Sequence, residues 1–263
     1  MDRLKRLKKI LLKMEKVVVA YSGGLDSAFL LRVAIDTLGR ANVLAVTARS
    51  ETYPASEYRE AKAIARTLGA RHMTIATREL AIKNFKHNPV NRCYYCKREL
   101  FRSLDALRKR QGMRFVLDGT NRDDLKDVRH GRKAARELGV RSPLLEAGIG
   151  KEAIRSYSKK LCLRTWNKPS YACLASRFPF HSAITKKALV KVGRAEEYIR
   201  ALGVGQVRVR SHGPIARIEV LPADFSTIFS LNALITKRLK SLGFTYVALD
   251  LAGYRTGSMH EAE

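Results

Sequence analysis

Two groups of residues in this chain have the types and spacing to do chemistry. The first is a serine and glycine loop, Ser22-Gly23-Gly24-Leu25-Asp26-Ser27, which follows the apolar run Val17 to Tyr21 and leads straight into a helical pattern. Glycine lets the backbone turn tightly and approach a phosphate. A helix start presents unpaired N–H groups and the positive end of its dipole. Ser22 and Ser27 add hydroxyls, while Asp26, a poor phosphate neighbour by itself, points to a divalent metal or to helix capping. The chain has neither GxxxxGK[ST] nor GxGxxG, so ordinary P-loop and dinucleotide sites are excluded. A lone Ser-Gly-Gly would be only a tight turn; at the first strand-to-helix turn of a parallel sheet it reads as a phosphate site.

The second group is the cysteines, Cys93, Cys96, Cys162 and Cys173. Spaced cysteines in a reducing compartment are metal ligands or catalytic groups more often than disulfide partners. Cys93 and Cys96 form a Cys-x-x-Cys pair between Arg92 and Lys97, which suits half a zinc site, a redox dithiol or part of an iron–sulfur site. No second Cys-x-x-Cys completes a zinc ribbon. Cys173 stands in an irregular segment near Lys168 and Arg177, and cationic neighbours favour the thiolate form. Cys162, between Leu161 and Leu163, reads as structural.

The elements that must carry these groups alternate. Strands are expected at Val17–Tyr21, Asn42–Thr47, His72–Ile75 and Arg114–Leu117, with helices at Asp26–Leu38, Ala55–Leu68, Lys97–Lys109 and Asp124–Leu138. That alternation predicts an α/β fold with a parallel sheet and helices on both faces. After a helix at Lys151–Leu161 and an irregular stretch from Cys162 to Ser182, the pattern changes. A helix (Thr185–Leu202), two strands (Gln206–Ser211, Ala216–Leu221) joined through His212-Gly213-Pro214, a helix (Ala223–Leu242) and a strand (Tyr246–Leu249) predict a second, smaller α/β domain. The expected division is 1–160, with a basic amphipathic helix in 1–16, then a cysteine-bearing linker 161–183, then 184–263. In that first helix Leu4, Leu7, Leu11 and Met14 share one face, which packs on the main domain or on a sister subunit.

The chain has 263 residues and is 46% hydrophobic, enough for a buried core. No apolar run is long enough to span a bilayer. The basic N-terminus has no apolar core and no small-residue cleavage site, so it does not read as a secretory signal, and a cytoplasmic location with no membrane partner is expected. The formal net charge of +27 favours polyanions: nucleotides, phosphorylated metabolites or RNA.

The loop Ser22–Ser27 resembles the pyrophosphate loop of the ATP pyrophosphatases, the PP-loop superfamily with its adenine-nucleotide alpha-hydrolase-like (HUP) domain. The ordered set of this loop, Arg92-Cys93-Tyr94-Tyr95-Cys96-Lys97, Asp118-Gly119-Thr120-Asn121-Arg122-Asp123-Asp124 and Cys173-Leu174-Ala175-Ser176-Arg177-Phe178-Pro179 resembles the LarE-type ATP-dependent sulfur transferases. The resemblance implies ATP and Mg2+ as cofactors. Ser22, Gly23, Gly24, Asp26 and Ser27 would hold pyrophosphate. Thr47, Gly119, Thr120, Asn121 and Asp124 would complete the nucleotide site. It implies a nucleotide-like substrate, pyridinium-3,5-biscarboxylic acid mononucleotide, whose carboxylate is adenylylated and becomes a thiocarboxylate in nickel-pincer cofactor synthesis. In one branch the cysteine matching Cys173 gives up its own sulfur. In the other, Cys93, Cys96 and Cys173 hold a 4Fe-4S cluster carrying an extra sulfide, and the presence of all three cysteines favours that branch. Sulfide or another sulfur donor would then be a partner. Arg177, Arg208 and Arg210 would bind substrate, with Glu196 (or Glu197) and Glu219 as acid/base candidates. The resemblance also implies a homo-oligomer, and a tRNA thiolase is the rival reading.

Overall fold

The computed structural model describes residues 2–125, 130–169, 171–255 and 257–259. In chain order the helices and strands are α1 (Arg3–Leu12), β1 (Val17–Ala20), α2 (Leu25–Leu38), β2 (Val43–Arg49), α3 (Ala55–Thr67), β3 (Arg71–Ala76), α4 (Lys83–Lys86), α5 (Arg92–Arg110), β4 (Phe115–Leu117), α6 (Gly131–Glu137), α7 (Pro143–Glu146), α8 (Lys151–Lys160), α9 (Lys186–Ala201), β5 (Val207–His212), β6 (Ile215–Val220), α10 (Phe225–Ser230), α11 (Asn232–Ser241) and β7 (Tyr246–Leu249). They divide into two units. Unit 1 comprises Met1–Glu79 and Asn91–Tyr171, and unit 2 comprises Leu80–Val90 and Ala172–Glu263. The segment Leu80–Val90, which the sequence pattern leaves in the N-terminal range, thus belongs to unit 2.

Unit 1 is built on a parallel sheet in the order β3-β2-β1-β4. Successive strand residues face opposite sides. Val17, Val19, Val43 and Ala45 join one core with Leu7, Leu11, Phe29, Leu30 and Leu31, while Val18, Leu44 and Val46 join another with Phe101, Leu104 and Leu107. Helices therefore cover both faces, and the fold is α/β as the sequence pattern predicts. Leu4, Leu7 and Leu11 of α1 pack into the first of these cores, leaving its lysines and arginines outside. Because the chain fills β1, β2 and β3 in one direction and then returns to β4 on the other flank of β1, the order reverses between β1 and β4. Ligands of open parallel sheets bind at such a reversal, beyond the carboxyl ends of the strands.

Unit 2 carries a second sheet in the order β5-β6-β7, with β5 and β6 antiparallel and β6 and β7 parallel. The β5–β6 turn is Gly213-Pro214, and Gly213 supplies the positive φ of 60° that the turn needs. On α9, Leu189, Val192 and Ile199 are buried, and Glu196 is buried on the same stripe.

Three elements differ from the sequence expectation. Helix α5 begins at Arg92, not Lys97, so the cysteine pair lies within its first turns. The helix expected over 223–242 is broken at Leu231, where Asn232 Nδ2 donates to the Phe229 carbonyl (2.6 Å) in competition with the helix ladder. The helix expected over 124–138 passes through residues 126–129, which lie outside the described residues; α6 accounts for its later part. No helix among the described residues is long and apolar enough to cross a membrane.

Leu7 is wholly buried, whereas Leu12 on the same helix is 57% exposed. Leu7→Ala should lower unfolding free energy by about 2–5 kcal/mol, and Leu12→Ala by under about 0.5 kcal/mol. Denaturant titration of both variants measures this; equal effects would mean that α1 is not part of the core.

Candidate active site

The first part of the site forms where β1 ends. Gly23 has a positive φ of 68°, and a Cβ there would lie 2.5 Å from the Ala61 Cβ of α3. Both the backbone angle and the close passage of α3 require glycine. Gly24 then caps α2 in extended conformation, so the first amides of the helix face outward from the turn. Ser27 Oγ donates to the Gly24 carbonyl (3.2 Å), accepts from Ser22 N (3.2 Å) and lies 3.1 Å from Ser22 Oγ. Tyr53 Oη donates to the Ser22 carbonyl at 2.7 Å, pinning the loop from the β2–α3 connection. Burial pushes the Tyr53 phenol far above its ordinary value, helped by nearby Glu57, so it stays a donor.

The second strand flanking the reversal brings Asp118–Asp124 to the same place. A Cβ on Gly119 would stand 3.2 Å from the Ser27 amide nitrogen and 3.4 Å from the Asp26 Cβ. Residues more than ninety positions apart thus share one crevice at the carboxyl ends of β1 and β4. The loop is held by its own carboxylates. Asp118 accepts from Thr120 N (3.1 Å), Thr120 Oγ1 (2.8 Å) and Ser142 Oγ (2.7 Å), and Asp124 accepts from Asn121 N (3.1 Å). Asn121 is fully buried and its Nδ2 has no hydrogen-bond partner among the described residues. Thr47 is also buried, and its hydroxyl donates to the Tyr21 carbonyl (2.8 Å) beside His72 Nε2 (2.9 Å). It ties β1 to β3 through β2 and presents no free hydroxyl to a nucleotide.

Cys93 and Cys96 are three apart on α5 and so share one face. Cys93 is exposed and Cys96 half-buried. The Cys96 thiol donates to Glu79 Oε1 at 3.9 Å, where Thr77 Oγ1 also donates (2.9 Å). Glu79 is buried, and nothing in the sequence pattern marks it; the fold alone brings it to the cysteine helix. Lys168, in the segment leading to Cys173, is clamped on α3 by Glu57 (2.9 Å) and Glu60 (2.7 Å). Cys162 is exposed, not the packed residue its apolar neighbours suggest.

In unit 2, Cys173 is exposed at the start of a short 3-10 turn, Leu174–Arg177, and its sulfur accepts from Ala175 N at 3.4 Å. Two arginines hold the turn by its carbonyls. Arg177 Nη1 donates to the Ala172 and Cys173 carbonyls (3.1 and 3.3 Å), and Arg210 Nη1 to the Ser176 carbonyl (2.8 Å). Arg177 in turn makes a bidentate pair with Glu196, Nε to Oε1 at 2.6 Å and Nη2 to Oε2 at 3.0 Å, both side chains fully buried. Glu196 also accepts from Arg200 (2.6 Å) and from the Val209 amide of β5 (3.0 Å). Burial alone would raise its pKa, but Arg177, Arg200 and Arg208 outweigh burial and hold the carboxyl below the ordinary glutamate range. Glu219, likewise buried, accepts from Arg210 (2.7 Å), Arg217 (3.2 Å) and Ser258 Oγ (2.7 Å). Arg208 is buried, donates to the Val207 carbonyl (2.8 Å) and lies over the Tyr254 ring. The side chains expected to bind substrate or shuttle protons are therefore engaged inside the unit. Among the described residues, no group of three or more His, Cys, Asp or Glu side chains is gathered to hold a metal ion.

Comparison with known proteins fits this geometry. The NAD synthase family pattern matches residues 4–92, the stretch that contains the serine–glycine loop. A protein of uncharacterized function from Synechocystis sp. is 43% identical over 262 residues, covering 98% of this chain and 97% of that protein. The pyridinium-3,5-bisthiocarboxylic acid mononucleotide synthase of Lactiplantibacillus plantarum is 39% identical over 248 residues, covering 94% of this chain and 90% of that enzyme. The glutamine-dependent NAD(+) synthetase of Aquifex aeolicus is 42% identical over 66 residues, 25% of this chain and 12% of that enzyme.

The Glu196 anchor makes a pH-dependent prediction. A carboxyl whose folded pKa is depressed contributes stability above its unfolded value, near 4.3 for glutamate, and loses that contribution as pH falls through the folded value. Glu196→Gln should cost about 3–5 kcal/mol at neutral pH, because the buried Arg177 charge loses the carboxylate opposite it. It should also flatten the loss of stability below about pH 4. Denaturant unfolding across pH 3–7 checks both; an unchanged acid limb would remove Glu196 from that role.

Proposed function

Because the chain belongs to the LarE-type ATP-dependent sulfur transferases of the PP-loop superfamily, we propose that it adenylylates a carboxylate of a pyridinium mononucleotide and replaces the activated oxygen with sulfur. The reading is supported most by one observation: the amide-rich turn at Gly24 and the Gly119 backbone meet at the β1/β4 reversal, a crevice suited to a nucleoside triphosphate.

A carboxylate is a poor electrophile because its oxygen leaves badly. Its oxygen attacks the α-phosphorus of ATP, the bond to the bridging α–β oxygen breaks, and pyrophosphate departs. Ser22, Gly23, Gly24 and Ser27 hold that pyrophosphate through amides and hydroxyls placed before the charge develops. The donor chemistry at the turn also fits Mg2+: Asp26 is a carboxylate in the first turn of α2, an oxygen ligand of the kind Mg2+ takes with phosphate oxygens. When bound, Mg2+ would supply charge neutralisation on the phosphates. Gly119, Thr120, Asn121 and Asp124 form the opposite lip. A sulfur nucleophile then attacks the acyl carbon and AMP leaves with its electron pair.

For the sulfur, we propose that Cys93, Cys96 and Cys173 hold a 4Fe-4S cluster. Three reduced cysteines, two on one helix face and one with an amide aimed at its sulfur, have the donor chemistry for it. Such a cluster would supply one iron open to an exchangeable sulfide. Arg177 and Arg210 keep the Cys173 turn rigid, and Glu196 and Glu219 keep those arginines fixed, so we assign all four to positioning. Arg208 braces β5 beside them.

A second reading is favoured by the exposure of Cys173, whose own sulfur suffices for one transfer. Here the Cys173 thiolate attacks the adenylylated acyl carbon, AMP leaves, and a thioester forms. Loss of the Cys173 α-proton to a base and cleavage of its Cβ–S bond then release the thiocarboxylate, leaving dehydroalanine.

One experiment separates the two. Protein purified without oxygen is assayed for iron and sulfide, then given ATP, Mg2+, the mononucleotide dicarboxylate and sulfide. The cluster reading expects iron in the wild type, loss of iron in Cys93→Ser, Cys96→Ser and Cys173→Ala, and repeated turnover. The sacrificial reading expects one turnover, no need for Cys93 or Cys96, and a chain lighter by one hydrogen sulfide. Ser27→Ala should cut acceptor-dependent pyrophosphate release by about 10²-fold or more, the scale of losing one preorganised charge-stabilising donor. Wild-type protein that releases no pyrophosphate with the acceptor present would sink both readings.

A further inference from the structure

The sequence sets Lys168 beside Cys173 as a cation that could serve its sulfur, yet its ammonium is committed elsewhere. Lys168 Nζ lies 2.9 Å from Glu57 Oε2 and 2.7 Å from Glu60 Oε2, and the Lys168 and Glu57 side chains are only 11% and 15% exposed. Glu57 and Glu60 are three apart on α3, so both carboxylates reach one side of that helix. Ala61 follows Glu57 by one turn on the same side. It is the residue against which Gly23 packs with no room for a Cβ, and its carbonyl accepts from Tyr21 Oη at 3.1 Å. Tyr53 Oη, which donates to the Ser22 carbonyl, also lies 3.2 Å from the Glu57 carbonyl oxygen. A single turn of α3 therefore holds both the phosphate loop and Lys168.

The backbone around Lys168 is held as well. Arg155 of α8 donates from Nη1 to the Trp166 carbonyl (2.8 Å) and from Nη2 to the Lys168 carbonyl (3.3 Å). The Lys159 ammonium stands 5.0 Å from the centre of the Trp166 ring. Lys168 N donates to the Thr165 carbonyl at 3.0 Å. Pro169 follows, and its ring fixes its own φ and keeps Lys168 out of the helical region. Unit 1 ends at Tyr171, and Cys173 is the second residue beyond it. The stretch of chain from Lys168 to Cys173 can reach at most about 18 Å. Ion pairs of this exposure add little net stability. What two carboxylates on one ammonium supply is a fixed point for an otherwise irregular chain.

We propose that Lys168 is a positioning residue for sulfur delivery: by fixing the chain to the α3 turn that carries the phosphate loop, it limits how far the Cys173 sulfur can stray from an acyl group activated there. This role rests on the sulfur transfer proposed above. Lys168 acts through the chain and through α3, and takes no part in adenylylation. Loss of the clamp leaves activation intact and gives the acyl adenylate to water. Water then attacks the acyl carbon, AMP leaves with its electron pair, and the carboxylate and a proton are released.

The full chain, purified without oxygen, is given ATP, Mg2+, the mononucleotide dicarboxylate and sulfide, and pyrophosphate and thiocarboxylate are measured in the same reaction. Lys168→Met should leave the initial rate of pyrophosphate release within about twofold of wild type and lower the thiocarboxylate formed per pyrophosphate by about tenfold or more, the scale on which a misplaced reacting group acts. Glu57→Gln combined with Glu60→Gln should do the same, and Lys168→Arg, which keeps both ion pairs, should restore the wild-type yield. Hydrogen exchange of the 163–168 amides, read without substrate, should quicken in Lys168→Met and not in Lys168→Arg. Unchanged exchange in Lys168→Met overturns the clamp. A wild-type yield of thiocarboxylate in Lys168→Met overturns the delivery role and leaves the reaction standing. A yield that falls in Lys168→Met but not in the paired glutamine variant also overturns it, because the loss then follows the uncovered carboxylate charge and not the broken tether. Wild-type protein that releases no pyrophosphate overturns the reaction itself, and the delivery role with it.

Discussion

Much of unit 1 is arranged around an approach that only glycine permits. At the end of β1 the backbone passes so close to α3 that a Cβ on Gly23 would overlap Ala61, and at the end of β4 Gly119 lies against the first turn of α2. Neither approach is local. Each requires the parallel order β3-β2-β1-β4 and a helix packed on either face, because only that order sets the ends of β1 and β4 side by side. The buried valines of β1 and the buried leucines of α1 and α2 are the scaffold that holds two short stretches of bare backbone together.

Unit 2 reaches rigidity by a different route. Its sulfur-bearing turn has little regular structure, and its carbonyls are held by arginines whose own charges are neutralised by buried carboxylates. Ion pairs of this kind contribute little net stability, since desolvation offsets the attraction. What they supply is direction: a bidentate guanidinium has few orientations, and Glu196 adds a bond to β5 that aligns turn, helix and strand at once.

The legible part of the sequence was the part governed by period. The βα alternation, the hairpin and the amphipathic first helix follow from spacing of apolar residues, and the serine–glycine loop announces itself by composition. Glu196 was also partly legible, because it falls on the Leu189, Val192, Ile199 stripe, where an acid must find a buried partner. The roles of the arginines were not. Arg208 and Arg210 look like a basic strand face, and only the pairing of Arg210 with Glu219 across the sheet and with the Ser176 carbonyl, and the place of Arg208 over the Tyr254 ring, show them turned inward. Glu79 was invisible for the same reason: its partner Cys96 lies seventeen residues away on a different element. The early start of α5 escaped because the tyrosines and cysteines of its first turns carry little helix signal.

The segment Leu80–Val90 has a consequence for how such a molecule can be made and remade. It is synthesised between β3 and α5 of unit 1, yet fully buried Asn88 donates to the carbonyls of Phe178 and Pro179, and the Asn88 and Lys86 carbonyls accept from His181 and Ile184. On the ribosome this stretch emerges about ninety residues before the chain it bonds to. The nascent N-terminal region must therefore carry it unsatisfied until the later half arrives. No single cut yields two self-sufficient fragments, so shuffling of the halves between genes would have to move an internal loop and a distant tail together.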